Sequence, residues 1–128
     1  MRKTGYITIL FFMLMLAAIT TFGQIPGQII NGLKTGDSRA VSAYFNENIE
    51  LVILDRENVC SQAQGEQIMR DFFSKYKPSD FKITYQGGDD APYAIGKMPT
   101  SGGDFRIYLL LKSIGNSPKI VQLRIERD

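Results

Sequence analysis

The stretch Ser61 to Lys77, SQAQGEQIMRDFFSKYK, constrains the rest of the chain more than any other. At about 100° per residue, Gly65, Ile68, Met69, Phe72, Phe73 and Tyr76 fall in one continuous sector, the broad apolar stripe of a helix laid on a core. Ser61 followed by Gln64 has the spacing of a capping box, and Pro78 ends the helix at or just before Lys77. Glu66 with Arg70 and Asp71 with Lys75 are acid-then-base pairs at i,i+4, which mark the solvated edges. Gly65 lowers helix propensity by about 1 kcal/mol relative to alanine. Close approach of a strand would offset that; the other reading is room for a ligand. So wide a stripe must be covered, and the remaining chain has to supply the cover.

The first 23 residues do not take part in that cover. Met1-Arg2-Lys3 leads into an apolar run from Ile7 to Phe22, followed by Gly23, which gives the positive start, apolar centre and small residue of a signal peptide. The run is shorter than the roughly 20 residues of a spanning helix and carries Thr8, Thr20 and Thr21. We therefore expect a cleaved signal over residues 1–23, a single domain over 24–128, and a periplasmic or secreted location. No cysteine stands at the cleavage site to take a lipid.

Of the fifteen basic residues, Arg2 and Lys3 leave with the leader, so thirteen remain against thirteen acidic ones. A neutral domain without a basic run argues against nucleic acid as a partner, and against a membrane once the leader is gone. The chain has no histidine and one cysteine, which removes ordinary zinc sites and internal disulfides. Asp89-Asp90 reads as a turn lacking the further carboxylates of a calcium loop. Gly87-Gly88 and Gly102-Gly103 lie between strands, where they do not cradle a phosphate at a helix start. No metal and no cofactor are expected. Cys60 stands at the entry to the long helix, where the dipole would favour a reactive thiolate; its ordinary reading is a buried small hydrophobe.

Ahead of the long helix, Ile25, Ile29, Ile30 and Leu33 form a short helical stripe with Pro26 near its start and Gly36 as its stop. Asp37 or Ser38 caps a second short helix over Ala40, Val41, Tyr44 and Phe45, which Asn46-Glu47-Asn48 ends. Ile49, Leu51 and Ile53 alternate with Glu50, Val52 and Leu54 as a strand, and Asp55 to Cys60 connects it to the long helix. Beyond Pro78, Phe81 to Gln86, Tyr93 to Met98, Phe105 to Lys112 and Ile120 to Arg127 are strands joined by glycine-rich turns, the last two by a hairpin at Gly115-Asn116-Ser117-Pro118. In the final strand Val121, Leu123 and Ile125 are the inward set. The class is α+β: a curved antiparallel sheet of four to five strands wrapped around one long helix, with two short N-terminal helices.

Leu33-Lys34-Thr35-Gly36-Asp37 leading to Val41-Ser42-Ala43-Tyr44-Phe45, then Ser61-Gln62-Ala63-Gln64 leading to Asp71-Phe72-Phe73, resembles a family of small secreted bacterial domains of unknown function. That family lies in the nuclear transport factor 2-like superfamily, whose cystatin-like cone of sheet and helices is the fold the resemblance implies. Superfamily enzymes such as ketosteroid isomerase use a desolvated carboxyl inside the cone.

Tyr44, Tyr85 and Tyr93 have faces compatible with the cone interior; with Met69 and Phe73 at its base they are the candidate pocket for a small apolar ligand. On the strand Phe105 to Lys112, with Phe105, Ile107, Leu109 and Leu111 inward, Tyr108 and Leu110 face outward side by side, the candidate interface of a homodimer through the sheet. The leading expectation is an exported, non-catalytic domain that binds a small apolar ligand or a protein partner. The other is an isomerase- or dehydratase-like enzyme with a buried carboxylate in the cone. None of the acids is placed inward by its spacing, so no catalytic residue is assigned.

Overall fold

The computed structural model describes residues 25–128, so the expected leader lies outside the described residues. Two short helices come first. The carbonyl of Pro26 accepts the N–H groups of Ile29 and Ile30 and starts α1 (Gly27–Thr35). Gly36 ends it in the left-handed region at φ 72°, where a side chain would be disfavoured. Asp37 caps α2 (Ser38–Ser42), its Oδ1 accepting the Ala40 N–H at 3.0 Å. Seven further elements follow: β1 (Phe45–Ile53), β2 (Arg56–Ser61), α3 (Gln62–Lys75), β3 (Lys82–Gly87), β4 (Tyr93–Thr100), β5 (Gly103–Ile114) and β6 (Ser117–Arg127).

The strands make one six-stranded sheet in the order β2-β1-β6-β5-β4-β3. All neighbours are antiparallel except β1 and β6, which run parallel. The sheet therefore exceeds the expected four to five strands and is mixed at its centre.

α3 forms as its spacing predicts. The Ser61 Oγ accepts the Gln64 N–H at 3.3 Å and the Gln64 Oε1 accepts the Ser61 N–H at 3.1 Å, closing the capping box. Gly65, Met69, Phe72 and Phe73 are buried, and Ile68 and Tyr76 flank them half-buried. A Cβ on Gly65 would stand 2.9 Å from the Phe45 ring and 3.3 Å from Ile49. Close approach of β1 is thus what the glycine permits.

Three local expectations are corrected. Phe45 opens a strand instead of closing a helix, because the Tyr44 carbonyl accepts the Ile120 N–H at 2.7 Å and Phe45 pairs with Ile120 on β6. Asp55 to Cys60 is mostly strand: after the two-residue turn Leu54-Asp55, Arg56–Ser61 pairs with β1 in register Ile53 with Arg56 through Asn48 with Ser61. As an edge strand exposed along nearly its whole length, β2 needs no apolar alternation and shows none. On β6, a register shift opposite Leu110 and Leu111 leaves Val121 unpaired with β5, so Ile120 is buried in its place with Leu123 and Ile125.

The concave side of the sheet is closed by side chains. Ile29 and Leu33 from α1 and Met69 from α3 meet Met98, Phe105, Ile107, Leu109 and Leu111 from the sheet, all without appreciable exposure. Phe105 meets Phe72 and Tyr76 edgewise at 5.2 and 4.9 Å between centroids, the Phe72 and Tyr76 rings are tilted to each other at 5.1 Å, and the Arg127 guanidinium lies over the Tyr76 and Phe105 rings.

Candidate functional site

The five residues of the expected pocket do not come together. Met69 and Phe73 are in the packed core, and Tyr44 is half-buried with its hydroxyl on the Gln28 Oε1. Tyr85 and Tyr93 stand on the opposite, convex face, 55% and 37% exposed. Tyr85 changes face because of a register shift on β3: Ile83 pairs with the inward Gly96, but Tyr85 pairs with the outward Ile95. Tyr93 follows from β4, where Ala94, Gly96 and Met98 take the inward side.

On that convex face a band of apolar side chains crosses three strands. Tyr85 on β3, Tyr93 and Ile95 on β4, and Tyr108 and Leu110 on β5 are cross-strand neighbours through Tyr85 with Ile95, Ile95 with Tyr108, and Tyr93 with Leu110. The Tyr85 and Tyr93 rings lie 5.7 Å apart with hydroxyls at 3.4 Å. The hydrogen bond to Tyr85 pushes the Tyr93 phenol above its usual value, with desolvation and the neighbouring phenol's charge adding in the same direction. Tyr108 also raises Arg106 by hydrogen bonding, assisted by the Asp128 carboxylate at 2.8 Å.

A second feature lies between α3 and the β1–β2 turn, a groove of about 480 Å³. Ile53, Leu54, Ile68, Phe72 and Tyr76 give it apolar walls; Asp55, Arg56, Asn58, Asp71 and Lys75 supply its polar lining. Leu54 sits in the turn at φ 56°, in the left-handed region that glycine and asparagine occupy most readily. The groove escapes a sequence reading because half its wall is the β1–β2 hairpin, whose second strand carries no apolar pattern. The one available signal was Leu54-Asp55 following the end of an alternating run, the length of a two-residue hairpin turn.

Among the described residues the buried polar side chains are Ser38 and Ser42, so no carboxyl stands desolvated in the cone as the enzyme reading requires. No group of three or more metal-ligating side chains occurs among the described residues either. Cys60 is half-buried on β2, and burial pushes its thiol above the usual value, opposing the reactive thiolate.

The two short helices, long capped helix and curved sheet reproduce the cone implied by resemblance, and residues 26–126 match the family model described as Domain of unknown function (DUF4783). The chain belongs to this family. A crystal structure of a DUF4783 family protein from Bacteroides ovatus is 32% identical to the chain, with 83% of this chain and 97% of that one covered at a TM-score of 0.79. A domain of unknown function with a cystatin-like fold from Nostoc punctiforme shares 11% identity over 80% of this chain and 72% of its own, TM-score 0.63. An NTF-2-like protein of unknown function from Silicibacter pomeroyi shares 15% over 80% and 88%, TM-score 0.59. These two show the fold alone: the DUF4783 domain has the cystatin-like, nuclear transport factor 2-like cone. No curated protein matches it.

Proposed function

We propose that this DUF4783 domain is an exported protein-binding module that works through the convex face of its sheet, with a second copy of itself as the partner. The apolar band of Tyr85, Tyr93, Ile95, Tyr108 and Leu110 carries this reading. A contiguous aromatic and aliphatic surface rimmed by polar groups has the composition of an interface core.

Charges around the band favour self-pairing. Glu50 on β1 and Glu57 on β2 lie toward one edge of the face, and among the described residues neither makes a side-chain hydrogen bond or ion pair. On β4 and β5, one cross-strand row beyond Ile95 and Tyr108, Lys97 and Arg106 share the side-chain carboxylate of Asp128. A two-fold axis parallel to the strands reverses the strand order between copies, so that β1 and β2 with Glu50 and Glu57 lie over the half of the partner's sheet that carries the tyrosines and Lys97. Export rests on the charged start and short apolar run of residues 1–23. Mature protein beginning at or near Gln24 is its direct test.

Sedimentation velocity tests the pairing. The protein should run at twice the mass of one chain, and Tyr108→Glu should halve that mass with an unchanged circular dichroism spectrum. A wild-type monomer at high concentration would sink the proposal.

A further inference from the structure

We propose that the groove between α3 and the β1–β2 turn binds a short zwitterionic peptide with apolar side chains. At about 480 Å³ it falls within the small-ligand range of roughly 300–1,000 Å³. It lies outside the filled cone and away from the convex band, so it is a site separate from the pairing face.

The charges of its lining select the ligand. Asp55 and Arg56 come from the turn, and Asp71 and Lys75 from the helix. None of the four side chains makes a hydrogen bond or ion pair with another described residue. Other charges of the domain do find partners: Glu66 with Arg70 at 3.0 Å one turn away, Asp80 with Lys34 at 3.5 Å, and Arg124 with Glu126 at 2.8 Å. Asp71 and Lys75 even have the favourable i,i+4 spacing, yet stay apart. Two acids and two bases sum to zero while presenting both signs, so the complement carries both signs as well. A dianion or dication meets as much repulsion as attraction there. A neutral apolar molecule desolvates four charges and returns no partner to any. An ammonium and a carboxylate at opposite ends of an apolar body satisfy acids, bases and walls together, and a dipeptide with two large apolar side chains is the smallest such molecule of peptide chemistry.

Leu54 is held left-handed at φ 56° and lines the groove, so an apolar wall is kept where the backbone alone would favour glycine or asparagine. The two-residue turn calls for a positive φ at its first position, and the Leu54 side chain packs against the core at the groove's edge.

The test is a nuclear magnetic resonance titration of the protein with leucyl-phenylalanine and with the same dipeptide acetylated and amidated at its ends. The free peptide should bind saturably, at or below about 1 mM, and shift amides of α3 and the β1–β2 turn. The blocked peptide should bind about a hundredfold more weakly, a charge-assisted contact worth about tenfold being lost at each end. Lys75→Gln and Asp71→Asn, both solvent-facing and so harmless to the fold, should each weaken the free peptide by about tenfold and leave the blocked one unchanged. Absence of binding by the free peptide, equal affinity for free and blocked peptides, or shifts confined to the convex face would each overturn the proposal. Mass analysis in the same sample reads the pairing separately, so either result stands without the other.

Discussion

Tyr93 donates its hydroxyl hydrogen toward Tyr85 from an exposed position, and the interaction leaves a trace in its titration. The bonded neutral phenol is favoured, so Tyr93 loses its proton above the usual range. Tyr85→Phe removes both the acceptor and the neighbouring phenol's charge, and the Tyr93 phenolate should then appear at lower pH in an ultraviolet titration. An unchanged curve would mean that the two rings do not meet in solution. The faces of these two residues differ in how readily the sequence discloses them. Tyr93 precedes Ala94, Gly96 and Met98, whose alternation already puts it outward. Tyr85 continues an apparent Phe81, Ile83, Tyr85 alternation, and only the irregular pairing between Ile83 and Tyr85 turns it over. A one-residue shift leaves no mark in composition.

At the scale of elements, α3 is the most legible part of the chain because its signals agree: the capping box, the wide stripe and the proline stop all describe one helix. Gly65 is where helix propensity and packing disagree. Gly65→Ala gains about 1 kcal/mol of helix propensity but drives a methyl to 2.9 Å from the buried Phe45 ring, an overpacking worth about 1–3 kcal/mol. A urea melt should show net destabilisation of up to about 2 kcal/mol, whereas Gln67→Ala, on the exposed side of the same helix, should be close to neutral. A stabilised Gly65→Ala would show that β1 lies farther away. Phe45 and β2 were illegible for a shared reason: each takes its strand conformation from a partner distant in sequence or from an edge that needs no apolar pattern. The groove was hidden with them, since the β1–β2 turn is one of its walls.

Over the whole molecule, α+β class and a convex face with Tyr108 and Leu110 outward were readable, because β5 alternates cleanly between buried and half-buried or exposed positions. The topology was not, since the parallel union of β1 and β6 joins segments about seventy residues apart. That union places β6 third in a sheet of six, between β1 and β5, and it contributes the buried Ile120, Leu123 and Ile125. Removal of residues 120–128 should therefore abolish the cooperative thermal transition altogether, instead of lowering its midpoint by a few degrees. A truncated chain that still melts cooperatively would contradict this. The same placement of β6 sets the order of events while the chain is being made. β1 can pair with β2 early, and β3, β4 and β5 can pair among themselves, but the two halves share no strand until β6 has emerged. Until then each half shows an unpaired inner edge and an uncovered apolar face. A chain built this way closes only at the end, when its last strand slides between two waiting halves.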